Sequence, residues 1–341
     1  MKTNRPFFTI GIPTHNRASY LKLAIESVLK QSFKNYEILI VDNKSTDNTE
    51  SVVNIYCQNN KNITYIKNAV NVEGMGSLKK LFNRARGTYL FLLCDDDIIL
   101  KSNTLSGLYK IIQNKKPGFV KLEALFYFKK ISNIIKCFKF ERTNVIIKPD
   151  NPHFVEKTFN KFIEFWSGNI YRLEPKLFPL INTNDWLYTS LDYIFAQVQK
   201  NGAVFTGDYC ILGRYIETIN MATLIDPNFS LDTHLKTVKK YVPISEYSKI
   251  DDNLRKAALS TIINCRLYAT WQLVFLYIKK VYKNDKKPSQ KILYYLFAFL
   301  VLLTPKVIFV LFKKLIYHPV LKKEAMNYIL KKRLSSLLAH L

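Results

Sequence analysis

The sequence predicts an α/β fold: a mostly parallel central sheet flanked by helices, followed by a helical C-terminal region. Three observations carry that prediction. The first 115 residues alternate between strand-like and helix-like apolar periods, polar clusters follow the carboxyl ends of the strands, and 48% of the 341 residues are apolar, enough for a substantial core.

Phe7 to Ile12 and Glu37 to Val41 read as short buried strands rich in Ile, Val and Phe. Between them Leu21, Ala24, Ile25, Val28 and Leu29 fall at i, i+3, i+4, i+7 and i+8, one apolar stripe of a helix that leaves Arg17, Lys22 and Lys30 for solvent. Ile63 to Ile66 and Tyr89 to Leu93 supply two more strands, separated by a helix with Leu78, Leu81, Phe82 and Ala85 on one face. Strand and helix alternating at this spacing imply right-handed crossovers and parallel pairing. Beyond Gly118 the pattern loosens. Phe119 to Phe128 and Val145 to Lys148 look strand-like, His153 to Trp166 helical, and Gly168 to Arg172 a loop leading into a strand. Leu187 to Gln199 is an amphipathic helix closed by Asn201-Gly202, where a left-handed cap is favoured. From about residue 226 only helices are expected. The domains are therefore placed at 1–225, divided into halves 1–115 and 116–225, and at 226–341.

Composition excludes several classes. Ten Gly and twelve Pro without a tandem period rule out collagen-like and solenoid chains. Cys57, Cys94, Cys137, Cys210 and Cys265 are odd in number and form no C-x-x-C pair, which suits a reduced, cytoplasmic chain. Phe7 to Ile12 is too short for a signal-peptide core, so no secretion is expected. The formal charge is +25, and residues 251–341 alone carry 17 basic against 4 acidic side chains. That charge raises nucleic acid as a partner, yet no nucleic-acid module is present and an acidic triplet would repel a phosphate backbone. No nucleic acid is expected.

In parallel sheets ligands bind outside the carboxyl ends of the strands. Pro13-Thr14-His15-Asn16 follows the first strand, Asp42 to Asp47 the second, and Asp95-Asp96-Asp97 the last. Three adjacent carboxylates repel one another unless a cation is present, and a hard divalent ion such as Mg²⁺ or Mn²⁺ resolves the conflict. The alternative is a solvated acidic turn that caps the next helix. Ser45, Thr46 and Asp47 suit a helix start near Thr49, whereas Asp42 leaves its strand toward the crevice, where a carboxylate accepts from a nucleobase or ribose.

Together these pieces resemble the family 2 glycosyltransferases of the GT-A (Rossmann-like) fold. The matching residues are Ile12 to Arg17, Ile40 to Asp47, Asn71 to Gly76 with Asn83, Ala85 and Gly87, and Leu93 to Asp97 as the D-x-D element. The resemblance implies a nucleotide-sugar donor across the strand ends, touched by Pro13, Thr14, Asn16, Arg17, Asp42, Asn43, Asn71 and Asn83. It implies a divalent metal on Asp95 and Asp97, with Asp96 facing the donor sugar or ribose. It also implies inversion of the anomeric centre by a carboxylate base. Asp192, ten residues before Gly202, fits that role, and Asp185 is the reserve; Thr189-Ser190-Leu191-Asp192 also spells a capping box. Trp166, Gly168 and Asn169 fall where relatives close a loop over donor and acceptor, though Trp166 equally ends an apolar stripe. The acceptor class implied is a saccharide or lipid-linked intermediate of cell-surface polysaccharide. A nucleotidyltransferase shares the carboxylates but wants a Gly-rich basic first loop, which Pro13 to Asn16 does not supply.

Ile292 to Leu303 is a twelve-residue apolar run, short of the ~20 residues needed to span a bilayer. Lysines flank it on both sides, which suits an anionic membrane surface and a peripheral place on the inner face of the cytoplasmic membrane; the alternative is a helix packed on the first domain.

Overall fold

The computed structural model describes residues 5–128, 130–138, 144–159, 166–181 and 191–214, together with positions 240–242, 296, 299, 300, 303, 305, 307, 308 and 323. Every strand and helix named below belongs to one of two compact units into which the chain divides. The chain order is β1 (Phe8–Thr14), α1 (Ala18–Leu29), β2 (Tyr36–Asp42), α2 (Thr49–Asn59), β3 (Ile63–Lys67), α3 (Glu73–Arg84), β4 (Tyr89–Leu92), β5 (Ile98–Ile99), α4 (Thr104–Lys115), β6 (Phe119–Phe128), β7 (Lys130–Phe138), β8 (Val145–Ile147), α5 (Phe154–Phe159), β9 (Asn169–Arg172), α6 (Leu191–Asn201) and β10 (Ala203–Arg214).

The first half follows the apolar periods. β1 lies between β2 and β4 and pairs parallel with both, and β2 pairs parallel with β3. Leu21, Ala24, Ile25 and Val28 of α1 are fully buried against Ile10, Ile12, Ile38 and Ile40 in one core. Each Leu, Ile or Val so placed contributes about 1.5–3 kcal/mol. Leu78, Leu81 and Phe82 of α3 are buried in the same way, and Ala85 falls just past the helix end. At the amino ends of the strands the buried Glu37 accepts from the Thr9 hydroxyl at 2.6 Å and from the Arg86 N–H at 2.8 Å.

The expectation of a mostly parallel sheet gives way beyond β4. The ten strands run β3-β2-β1-β4-β9-β6-β10-β5, with β7 on β6 and β8 on β10. β9 is antiparallel to both β4 and β6, while β10 is parallel to β6. The sheet is therefore mixed. The physical reason is that β9, entered through the turn at Gly168, inserts antiparallel between β4 and β6, two strands that run the same way.

Three strands escape the periodicity, the two-residue β5 among them. β7 forms an antiparallel hairpin with β6 whose register shifts twice, which blurs its alternation. β10 contains Thr206-Gly207-Asp208, a turn signature that the fold absorbs as a register irregularity between Thr206 and Cys210. The helix expected over 153–166 is described only as α5, and Trp166 to Gly168 is a turn. At the end of α6, Gly202 has φ +73 and its N–H returns to Val198 O at 2.7 Å, the left-handed cap that the sequence predicts. A Cβ there would lie 2.4 Å from Ile147 O.

Candidate functional site

The carboxyl ends of β1, β2 and β4 form one edge, because parallel pairing sets Thr14 beside Asp42 and Gly11 beside Leu92. The acidic turn leaves β4 at this edge and is held by groups from four other segments. Thr14 at the end of β1 donates its hydroxyl to Asp95 Oδ2 at 2.8 Å. Arg17, just before α1, donates from Nη1 to Asp95 Oδ1 at 3.0 Å and to Asp96 Oδ2 at 3.2 Å. Ser167, in the turn before β9, donates to Asp97 Oδ2 at 2.5 Å while its oxygen accepts from the Cys94 N–H at 2.7 Å.

Arg214, the last residue of β10, reaches two acids at once. Its N–H donates to Asp97 Oδ1 at 3.1 Å, and its Nε and Nη2 donate to Asp96 Oδ2 at 3.1 and 2.9 Å. Its guanidinium also lies 4.3 Å from the Tyr20 ring centroid of α1, a cation–π contact.

Burial gives this arrangement its electrostatic character. Asp95, Asp96 and Asp97 are all buried. Burial pushes the Asp97 carboxyl up to about 8, reinforced by the neighbouring Asp96 and opposed by the bonds from Ser167 and the Arg214 N–H. Burial also raises Asp95, against the pull of Arg17. The local energetics therefore favour a cation beside these acids.

The loops that flank the turn are laced together. Asn16, at φ 52, accepts on Oδ1 from the Thr46 N–H at 2.7 Å, and its own N–H donates to Ser45 Oγ at 2.8 Å. Asp47 accepts from the Ala18 N–H at 3.2 Å and from the Thr49 N–H at 3.0 Å, so one carboxylate caps the first turns of both α1 and α2. Asn43 donates to Asn71 Oδ1 at 2.6 Å and accepts from the Val72 N–H at 2.8 Å, tying β2 to the start of α3. A groove of about 360 Å³ opens beside Arg17, lined among others by Asn16, Tyr20, Lys22, Asp47 and Val52. Arg17 thus belongs to the acidic turn rather than to the solvent face of α1. Pro13 is half-buried on β1, in register with Val41.

Several expected placements are corrected. Asp42 does not open into the crevice. It is fully buried, with Oδ1 accepting from the Ser45 N–H and hydroxyl and Oδ2 from the Tyr65 hydroxyl at 2.5 Å, because the chain turns back over it immediately after β2. Asn83 is exposed near the end of the twelve-residue α3. At 1.5 Å per residue it stands ~15 Å from the helix start, toward Arg86 and the amino ends of the strands. Gly168 and Asn169 do not form an open loop. Gly168, at φ +77, turns the chain straight into β9 between β4 and β6, and Asn169 is wholly buried with its amide on the Tyr171 hydroxyl at 3.2 Å. A Cβ on Gly168 would lie 3.0 Å from both Leu122 and Ile211.

Trp166 is half-buried, with its ring packed over Gly74 in the first turn of α3. Asp192 is half-buried in the first turn of α6. Asp185 lies outside the described residues, as does most of the basic C-terminal region. Sequence reasoning missed Ser167, Tyr20 and Arg214. Arg214 ends a strand interrupted by a turn signature, so only its place as a cation at a strand end could have marked it.

Asp95 and Asp97 offer hard oxygen donors two residues apart at the strand edge, so the chemistry of the donor set fits a divalent ion such as Mg²⁺ or Mn²⁺. Among the described residues no cluster of three or more His, Cys, Asp or Glu forms a metal site. Mg²⁺-type sites that share one or two carboxylates with substrate phosphates do not need one.

The family model described as glycosyl transferase family 2 matches residues 9–172. An uncharacterised glycosyltransferase of Methanocaldococcus jannaschii is 32% identical over 141 residues, 41% of this chain and 48% of that protein. A GalNAc(5)-diNAcBac-PP-undecaprenol beta-1,3-glucosyltransferase of Campylobacter jejuni is 32% identical over 149 residues, 42% of this chain and 47% of that protein. The chain thus spans about half the length of these curated relatives. Among solved structures, a mannosyltransferase from Pyrobaculum calidifontis in complex with GDP-Man and Mn²⁺ matches with a TM-score of 0.53 at 14% identity, covering 97% of this chain and 88% of that one. S. aureus TarS in complex with UDP matches with a TM-score of 0.52 at 14% identity, over 86% of this chain and 87% of that one. At such identities the likeness is one of fold, the GT-A fold.

Proposed function

We propose that this chain, a family 2 glycosyltransferase through its residues 9–172, moves one sugar per encounter from a nucleotide-diphosphate-sugar donor to a glycan or lipid-linked saccharide, with inversion, in the making of cell-surface polysaccharide of the O-antigen or capsule type. The observation that carries this reading is the gathering of Thr14, Arg17, Ser167 and Arg214 around Asp95, Asp96 and Asp97 at the carboxyl edge of β1 and β4. Such an edge receives the donor in α/β sheets.

The donor lies along the β1 edge, with Thr14, Asn16 and Arg17 beside it and Asn43 and Asn71 shaping the neighbouring loop. Asp95 and Asp97 would hold the divalent ion. When bound, that ion supplies charge stabilisation for the departing nucleoside diphosphate. Thr14 and Ser167 fix the orientation of the two carboxylates, so the site is organised before the donor arrives. Asp192 takes the proton from the acceptor hydroxyl as general base, with Asp185 as the alternative carboxylate. Trp166 offers a half-exposed aromatic surface to a sugar.

The relatives' names support a lipid-linked acceptor: one acts on an undecaprenol-linked saccharide, and another, of Mycobacterium bovis, is a PGL/p-HBAD biosynthesis glycosyltransferase. The C-terminal region, beyond a boundary near 225, rests on the anionic inner face of the cytoplasmic membrane. Among the described residues no helix is long and apolar enough to cross a membrane. Leu296, Phe299, Leu303 and Val307 are each more than half exposed, at helical spacings of three and four, which suits a face laid on a bilayer.

A thermal-shift screen of nucleoside diphosphates with and without Mn²⁺ tests the donor reading. One base should stabilise the chain only with metal present, and no response to any nucleotide would count against the reading.

A further inference from the structure

Asp96 is the acid whose surroundings a donor-sugar contact does not explain. A single oxygen, Oδ2, accepts from Arg17 Nη1 at 3.2 Å and from Arg214 Nε and Nη2 at 3.1 and 2.9 Å. Two guanidinium groups are thereby drawn together from sequence positions far apart, one before α1 and one at the end of β10. Like charges at that separation repel in a poorly solvated site. Among the described residues, Arg17 Nε and Nη2 and Arg214 Nη1 make no hydrogen bond, so both guanidinium groups keep donors to spend. Their side chains are 40% and 21% exposed, against 10% for Asp96, so the cations stand nearer solvent than the acid that holds them.

We propose that Arg17 and Arg214 form a guanidinium pair that receives the diphosphate of the donor, with Asp96 as the positioning residue that holds the pair in place beforehand. The planar forks suit phosphate oxygens, which accept from two nitrogens of one guanidinium. Tyr20, stacked on Arg214, limits the directions in which that fork can point. The inference rests on the transferase reading for the identity of the ligand, while the arginine geometry is independent of it.

Calorimetric titration of the full chain tests it, with Mn²⁺ alone and with inorganic pyrophosphate at saturating Mn²⁺. Arg17→Gln and Arg214→Gln should each lower pyrophosphate affinity at least tenfold. Affinity for Mn²⁺ alone should stay level or rise, because a competing cation has been removed. A merely structural role would lower both together. Asp96→Asn should weaken pyrophosphate binding, yet add less on top of Arg214→Gln than it does alone, and nothing once Arg17→Gln is also present, since the acid acts through the two arginines. Arg214→Lys should recover part of the lost affinity and thereby separate charge from misfolding.

Pyrophosphate affinity within twofold of the unaltered chain in both arginine variants would overturn the proposal. So would a parallel fall in Mn²⁺ and pyrophosphate affinity, or an unaltered chain that does not take up pyrophosphate. A nucleotide sugar that binds the Arg214→Gln chain at full strength removes the pair and leaves the transferase reading standing. Arginine-dependent pyrophosphate uptake without binding of any nucleotide sugar upholds the pair and removes the transferase reading.

Discussion

Asp96 and Arg214 meet through two nitrogens on one oxygen, Nε at 3.1 Å and Nη2 at 2.9 Å, although they lie 118 positions apart in the chain. The bond closes β10 onto the acidic turn after β4, and the Arg214 N–H extends the closure to Asp97. The end of β10 thus joins the acidic turn to which β1 and α1 also contribute.

Asp47 links the first turns of α1 and α2, and its removal should register as stability rather than chemistry. Asp47→Ala is expected to cost about 0.5–2 kcal/mol, as the loss of a helix cap does. Burial raises its carboxyl, but the bonds from Thr49 and Ala18 outweigh it and leave the group below the usual carboxylate range. The stabilisation is therefore present above the unfolded value near ~3.9 and lost as pH falls through the lower folded value. Urea denaturation of both chains should differ at pH 7, and the gap should narrow as pH falls below ~3.9. A gap that persists undiminished at pH 3 would remove the charge from the explanation.

Gly202→Ala places a Cβ 2.4 Å from Ile147 O at a left-handed position. The backbone conformation alone costs about 1–2 kcal/mol, and the contact adds to it. A drop in the urea midpoint at constant slope is the expected result. An unchanged midpoint would mean that the α6 cap is formed otherwise.

Asp192→Asn should lower kcat by about 10²–10⁴ while the nucleotide binds as before, because a general base acts on the acceptor and not on the donor. Steady-state transfer combined with nucleotide titration separates the two. If kcat holds, Asp185 is the next candidate.

The basic C-terminal region should carry the chain onto vesicles of anionic lipid at low salt and release it as salt rises. Sedimentation with such vesicles measures this directly. A chain that stays in the supernatant even at low salt would favour a helix packed on protein.

Much of the first half was legible because its signals are local. The stripe from Leu21 to Val28 and the buried runs at Ile10 and Ile38 each follow from a period within one segment. Asp95 to Asp97 announced itself as adjacent charge after an apolar strand. The mixed sheet was not legible, since β9 takes its direction from neighbours that are distant in sequence, and Gly168 decides where it starts. Asp42 shows the limit for the site. Its position at a strand end suggested exposure, but Ser45 and Tyr65 cover it, and only the turn geometry reveals that. Arg214 was hidden for a similar reason, because its partners Asp96 and Tyr20 come together only in the folded sheet.

The central claim is that the acidic turn serves transfer from a nucleotide sugar. The most direct measurement is release of nucleoside diphosphate from a panel of nucleotide sugars in Mn²⁺, for the unaltered chain and for Asp97→Asn. Release with one donor, reduced by about 10²–10³ in the variant as expected when a group that stabilises the leaving charge is lost, is the predicted result. Equal release by both chains, or none from any donor, would contradict it.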